Sequence, residues 1–351
     1  MTPPDLPPSE EALRLVKHLE RSGKALGPLL ILTHDHPDPD ALASAWALSL
    51  LAQKLCRVRV RIVYSGVVVR RENLFMMQSL WIPASPFRPS DLGCPHVALV
   101  DTQPPFRNNR FPAAGRPDII IDHHPRHRET RAEFSIINEA AGATVTILAE
   151  ALLAAGIKFP RKLATAVVYG IGAETQNLGR EATDRDSAAY MAFLHRADLN
   201  ALWRIANPPR PGAFFRTMAQ AIHNAYAVKD LIGVHLREIS SPDLVAQMAD
   251  FLLAHETMRW SLVTGRYQGR LHISLRTNAP GEHAGRLLRT VLGGGTRAGG
   301  HQMMAGGSMD IGHRADEGLW REAEDHVLSA FLKLRGMPDD THREYPFRQT
   351  T

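Results

Sequence analysis

The sequence has little cysteine. Its 351 residues include only Cys56 and Cys94. Neither sits in a C-x-x-C pair, which argues against a disulfide framework and against a thiolate zinc site. No stretch of about 18 apolar residues is free of charge, so no membrane span is expected. The opening residues, MTPPDLPPSEEALRL, show neither a basic leader nor an apolar signal core, and a cytoplasmic protein is expected. No G-x-S-x-G elbow is visible, which leaves serine-hydrolase chemistry without an anchor. A strong charge bias is also missing. The 41 basic and 36 acidic residues leave a net charge of +5. That balance is compatible with a phosphate-bearing partner but too small for a long nucleic-acid track. There is no internal repeat and no low-complexity tract.

What remains is a globular composition, 44% hydrophobic and 22% charged, with 17 histidines. Residues 9–22 have the spacing of an amphipathic helix. PLLILT (28–33), RVRVRIVY (57–64), HVALV (96–100) and DIII (118–121) read as strands. Residues 41–55, 142–156 and 161–173 read as helices. Strands alternating with helices predict an α/β fold, a parallel sheet with helices on both faces. Residues 183–226 look mainly helical. Beyond them the pattern predicts a strand at 227–239, a helix at 248–256 and a hairpin turning at Tyr267 to Gly269. A helix at 281–292, a strand at 302–309 and a helix at 316–334 complete a smaller α/β domain across a cleft from the first. The expected division is a first domain over 1–205, a helical linker over 206–226, a second domain over 227–335 and a loose tail over 336–351.

The chemistry concentrates at strand ends. In LILTHDHPDPDALASAWAL (30–48) a strand hands over to an apolar helix, and His34, His36, Asp38 and Asp40 crowd the junction. HVALV ends in Asp101, and DIII ends in Asp122, His123 and His124. In parallel α/β sheets ligands bind beyond the carboxyl ends of the strands, so distant segments converge on one crevice. Hard carboxylates mixed with imidazoles, without thiolates, favour Mn2+ or Mg2+. A bridging carboxylate flanked by other donors would hold two ions that activate water and clamp a phosphoryl oxygen. Each residue alone has a plainer reading. Asp38 could cap the helix that Pro39 opens, His34 could be a core histidine, Asp101 a turn residue, and His123 and His124 loop residues. Three strand ends carrying donors together favour the metal site, because isolated buried carboxylates are costly.

H-x-x-P-D-x-D-A (His34 to Ala41) with Ser44 beyond, the strand-end Asp101 and D-H-H-P (Asp122 to Pro125) resemble the DHH phosphoesterase superfamily. GGHQMMAGG (299–307) and SLRT (274–277) resemble the glycine-histidine loop and arginine strand of its associated substrate domain. The resemblance implies that His34 and Asp38 hold one metal, Asp40 and His123 the other, and that Asp101 bridges them. It implies that His124 meets the scissile phosphate and that Asp122 orients the histidines. Arg276, Gly299, Gly300, His301, Gly306 and Gly307 would grip the substrate's other end. One motif departs: where the family has G-I-x-x-D-T, this chain reads GIGAET, so Glu174 takes the place of a ligating Asp. A working site with Glu174 as ligand is expected. His36 is expected on the substrate side or surface.

By this resemblance the chain is expected to be a manganese-dependent phosphodiesterase or phosphatase. Its substrates would be short oligonucleotides (nano-RNase type) or 3′-phosphoadenosine-5′-phosphate, attacked by metal-activated hydroxide. A homodimer is compatible with the family. Alternatives are a cyclic dinucleotide phosphodiesterase, a pyrophosphate or polyphosphate hydrolase, and a nucleotide-binding regulator whose catalysis faded at Glu174.

Overall fold

The structure is a computed structural model. It describes residues 8–68, 70–179, 181–294, 298–300, 302–338 and 342–348. The chain divides into two compact units, Met1–Pro208 and Pro209–Thr351. No described helix is long and apolar enough to cross a membrane.

In the first unit, α1 (Glu10–Ser22) starts at Ser9, whose side chain accepts from the Ala12 amide. The strands are β1 (Leu29–Leu32), β2 (Val60–Tyr64), β3 (Ala84–Pro86), β4 (His96–Val100), β5 (Ile119–Asp122) and β6 (Phe134–Ile137). They form one sheet in the order β3-β2-β1-β4-β5-β6, and every pairing is parallel. The order reverses between β1 and β4. That reversal is the topological switch point, where a crevice opens beyond the strand ends. Helices α2 (Pro39–Leu55) and α3 (Arg71–Leu80) connect β1 to β2 and β2 to β3. After β6 come α4 (Thr144–Ala154), α5 (Arg161–Glu174), α6 (Asp184–Leu194) and α7 (Leu199–Ala206).

The parallel α/β class is as expected, but the coverage of the sheet differs. One face, with Leu29, Ile31, Ala98, Val100, Ile119 and Ile121, packs into a single core with the helices. The other face, with Leu30, Leu32, Leu99 and Ile120, is covered by Phe87, Phe111 and Ala132 from irregular segments. Right-handed crossovers that diverge from a switch point must run on opposite faces. The β4–β5 crossover reads PPFRNNRFPAAGRP at 104–117. Its prolines, glycine and asparagines oppose a helix, so the chain passes as a loop.

The second unit contains α8 (Gly212–Asn224), α9 (Asp243–Leu253), α10 (Ala284–Val291) and α11 (Glu317–Leu334). Its sheet is β11-β12-β10-β9-β8-β7. The strands are β7 (Tyr226–Val228), β8 (Leu231–Glu238), β9 (Trp260–Tyr267), β10 (Arg270–Thr277), β11 (Ala298–Gly300) and β12 (Met304–Asp310). Only β8 and β9 pair in parallel. The sheet carries a core on each face, one with α10 and α11 and the other with α9 and the buried Ala221 of α8.

The stretch read as one strand at 227–239 is a hairpin, β7–β8, turning at Lys229 with φ +54°. Residues 206–226, read as a linker, include α8, which belongs to this unit. Within the tail from 336, expected to be loose, described residues are anchored. Met337 is buried, and the Glu344 backbone pairs with Ala227, since β7 otherwise leaves an open sheet edge.

Candidate metal centre

The site forms where β1, β4 and β5 end. His34 follows β1 by two residues. Its Nδ1 meets the Asp35 carbonyl oxygen at 2.9 Å. Its Nε2 then faces Asp38 Oδ2 at 3.7 Å and Asp101 Oδ2 at 3.4 Å. Asp38 performs both of its possible tasks. One oxygen accepts from the Ala41 amide at 2.9 Å and caps α2, with Pro39 in the first turn. The other faces His34.

Asp101 is the first residue past β4 and is 2% exposed. Its φ of +58° lies in the left-handed region, a conformation that costs about 1–3 kcal/mol unless its surroundings enforce it. Its amide donates to the Ile121 carbonyl at 2.9 Å, and Thr144 Oγ1 donates to its Oδ1 at 2.8 Å. The turn aims the two carboxylate oxygens apart. Oδ2 faces His34, and Oδ1 lies 3.6 Å from His123 Nε2 and 3.6 Å from His124 Nδ1.

Beyond β5, His123 Nδ1 meets the Ala141 carbonyl oxygen at 3.1 Å, and its Nε2 is buried without a hydrogen-bond partner. His124 Nδ1 bonds Asp122 Oδ1 at 2.9 Å, and the His124 amide donates to the same oxygen. Asp122 is fully buried, and its other oxygen accepts from Gln103 Nε2 at 2.7 Å. Gln103 Oε1 in turn accepts from Thr130 Oγ1 and the His127 amide.

Asp40 is placed differently from the rest. Its two oxygens accept from the Thr144 and Val145 amides, both at 2.7 Å, and so cap α4 from outside that helix. Oδ2 stays 4.0 Å from His123 Nε2. Glu174, the last residue of α5, is half-buried, and its charge acts on both Asp40 and His124. His36 is exposed, and its Nδ1 is held by the Val67 backbone.

The electrostatics suit a cation. Burial and the neighbouring Asp101, Asp38 and Glu174 charges push the Asp40 carboxyl well above its usual range. Burial also opposes a charged His34, but hydrogen bonds with Asp101 and Asp38 outweigh it and hold the imidazole well above its usual value. In His124 burial is outweighed mainly by Asp122, then by Asp101, and its pKa rises to about 9. Asp101 is held far below the carboxylate range, its burial overcome by the three histidines. The shifts of Asp40, His34 and His124 all act to offset the same negative charge that bound cations would offset.

Two sets of donor atoms converge to within 4.8 Å: His34, Asp38 and Asp101, and Asp101, His123 and His124. Asp101 belongs to both. The orphaned Nε2 of His123 beside two carboxylates is the observation that fits a metal, since a buried acceptor without a partner is otherwise costly. Asp40 and Glu174 are outside these two sets. Sequence reasoning misses Thr144 and Gln103. Gln103 follows Asp101 by two residues, a proximity that could have signalled it. Thr144 sits in an apolar run that carries no such sign.

In the second unit, Arg276, Gly300, Gly306 and Gly307 line one pocket of ≈ 330 Å³, together with Ser274 and His272. Ser274 Oγ is buried there without a partner. Gly300 has φ +146°, and a Cβ would meet the Met304 carbonyl oxygen at 2.3 Å, so only glycine fits. Gly299 pairs with Gly306 across β11 and β12 but does not line the pocket. His301 lies outside the described residues. Arg276 is 7% exposed and already engaged: Nε donates to Asp250 at 2.5 Å and NH1 to the Leu275 and Ala305 carbonyls.

A parallel sheet with imidazoles and carboxylates gathered at its switch point defines an α/β protein built around a candidate metal site. Residues 28–171 match the DHH family, N-terminal domain. Members of that family are phosphoester hydrolases. The chain is similar to an uncharacterised protein of Methanocaldococcus jannaschii, 33% identical over 321 residues. The match covers 89% of this chain, and the chain spans 65% of that relative's length. Its fold resembles an exopolyphosphatase-related protein from Bacteroides fragilis, with TM-score 0.73 at 15% identity, covering 93% of this chain and 98% of that one. It also resembles the exonuclease RecJ bound to manganese, with TM-score 0.51 at 16% identity, covering 95% and 96% of the two chains.

Proposed function

We propose that the chain is a metal-dependent phosphoesterase that hydrolyses short oligonucleotides or 3′-phosphoadenosine-5′-phosphate. The observation that carries this reading is Asp101, whose two oxygens face two different imidazole sets from a strained strand end. In this reading His34, Asp38 and Asp101 would hold one Mn2+ or Mg2+, and Asp101, His123, Asp40 and Glu174 would hold a second. Bound ions there supply Lewis acidity, lowering the pKa of water and polarising a phosphoryl oxygen.

The remaining work falls to the chain itself. Asp35 and Ala141 fix the rings of His34 and His123 through Nδ1, so that both present Nε2 to the carboxylates. Asp122 holds the His124 proton at Nδ1 and orients the ring that in this reading meets a phosphoryl oxygen. Burial of Asp101, Asp122 and Asp40 keeps water from competing for these contacts. The pocket with Arg276, Ser274 and the glycine loop is the proposed seat for the substrate's other phosphate or terminal nucleotide. Its size falls near the lower end of small-molecule sites, about 300–1,000 Å³.

Defined dinucleotides, cyclic dinucleotides, 3′-phosphoadenosine-5′-phosphate and pyrophosphate, assayed with manganese, test the proposal. Turnover of linear dinucleotides or phosphoadenosine phosphate, lost with chelator, is expected. Turnover of pyrophosphate alone, or none of any phosphoester, contradicts it.

A further inference from the structure

Three groups of the candidate metal centre lean on the short stretch that opens α4. The Ala141 carbonyl oxygen meets His123 Nδ1 at 3.1 Å. The Thr144 and Val145 amides donate to Asp40, and Thr144 Oγ1 donates to Asp101. Residues 141–146 read AGATVT and are all buried. Ala141, Gly142 and Ala143 have no polar side chain, so nothing of their own fixes how their peptide groups point.

Asp186 reaches that stretch from α6. It is fully buried in the first turn of the helix. By its spacing from Thr183 it is one half of a capping box, in which its Oδ2 accepts from the Thr183 amide at 2.8 Å. A capping box is complete with that exchange, yet Asp186 holds more. Oδ2 also accepts from the Gly142 amide at 3.0 Å, 44 residues earlier in the chain. Oδ1 accepts from Thr146 Oγ1 at 2.6 Å. A Cβ on Gly142 would stand 2.6 Å from Asp186 Oδ2 and 2.8 Å from the Glu181 carbonyl oxygen, so glycine is what lets the carboxylate approach the amide.

The Gly142 amide and the Ala141 carbonyl belong to one peptide group. A peptide is planar, so fixing its N–H also fixes the direction of its C=O. A carboxylate on the N–H polarises the group and strengthens the oxygen as an acceptor. That oxygen can only accept, so His123 carries its proton at Nδ1 and its lone pair at Nε2. We propose that Asp186 is a positioning residue for His123, acting through the 141–142 peptide to keep Nε2 bare and turned toward Asp101 and Asp40. The arrangement is a carboxylate–histidine pair with one peptide group interposed. Its neighbour His124 shows the direct form, with Asp122 on Nδ1. The value of this orientation to a bound cation rests on the metal-dependent reading above, whereas the orientation itself does not.

Nitrogen NMR of the full chain with isotope-labelled histidine, in EDTA and above the ordinary histidine pKa, tests the role. The His123 signals are assigned by their loss in His123→Gln. Asp186→Asn keeps the size of the side chain but leaves one oxygen where four donors converge. Exchange of the His123 Nδ1 proton is expected to quicken about tenfold, the lower end for loss of such a partner. The His34 Nδ1 proton, held by the Asp35 carbonyl, should keep its rate. Thr183→Ala weakens the same helix cap and leaves the Gly142 bond in place, so its Tm falls while the His123 exchange stays unchanged. Titration with Mn2+ followed by electron paramagnetic resonance is the second readout. In Asp186→Asn the ion that His123 would share is expected to bind about 10–100-fold more weakly, and the ion beside His34 as before. Unchanged His123 exchange in Asp186→Asn overturns the inference. An equal change in Thr183→Ala also overturns it, because the effect would then belong to the stability of α6. An unaltered protein that binds no Mn2+ while His123 responds as expected contradicts the proposed function and supports the positioning role.

Discussion

At the scale of single residues, the groups of the candidate metal centre stand out in the sequence because each closes an apolar run. His34, Asp101, His123 and His124 stand where buried strands stop, and polar groups at such points need a reason. The residues that orient them carried no such mark. Gln103 is fully buried and joins Asp122 to Thr130 and the His127 amide. Gln103→Leu is expected to lower kcat about 10–100-fold by releasing Asp122 and hence His124, with manganese affinity nearly unchanged. Unaltered kcat would remove Gln103 from this role. The titrating groups define a pH dependence for the metal-free protein. The His124 pKa is raised from 6.5 to about 9, so its stabilising contribution is complete below pH 6.5 and is lost as pH rises through about 9. His34 shifts in the same direction. Asp101, lowered from 3.8, has the opposite sign and loses its contribution in acid. Thermal melts in EDTA should therefore show Tm falling between pH 6.5 and 9. A flat profile across that window would contradict the pairing.

At the scale of elements, α1, α2, α4, α5, β1, β2, β4 and β5 followed from periodicity, whereas α3, β3, β6, the β7–β8 hairpin and the irregular crossovers did not. The strands β1, β4 and β5 are short apolar runs with clear ends. The segments 104–117 and 123–133 cover a sheet face without periodicity, because proline, glycine and turn-forming side chains leave no repeat to read. Asp40 shows a different limit. Its spacing from His34 suggested a ligand, but it also caps α4, whose first turn lies 104 residues further along the chain. No local pattern records such a contact. Glu174 ends α5 and acts electrostatically on Asp40 and His124. Glu174→Asp is expected to retain or raise turnover, whereas Glu174→Gln is expected to weaken manganese binding about tenfold. Turnover assays check the first and titration with Mn2+ the second, and full affinity in Glu174→Gln would exclude it as a ligand. On β10, Arg276→Ala is expected to raise KM about tenfold with little change in kcat. An unchanged KM would leave Arg276 as a structural partner of Asp250 alone.

At the scale of the whole molecule, the sequence pattern ends the first domain at 205, close to the observed Pro208, but makes α8 a linker rather than part of the second unit. Proline-rich NPPRPG at 207–212 marks the end of the first unit, and α8 packs with the second. The units have separate cores, and among the described residues the candidate metal donors lie in the first. The proposed chemistry therefore depends on one feature of one unit, the sharing of Asp101 between two cations. Crystals grown with manganese and examined by anomalous diffraction test it most directly. Two anomalous peaks are predicted, both bonded to Asp101, one also to His34 and Asp38 and the other also to His123. In Asp101→Ala at least one peak should vanish. Peaks of full occupancy in that variant, or no peak among these side chains in the unaltered protein, would contradict the account.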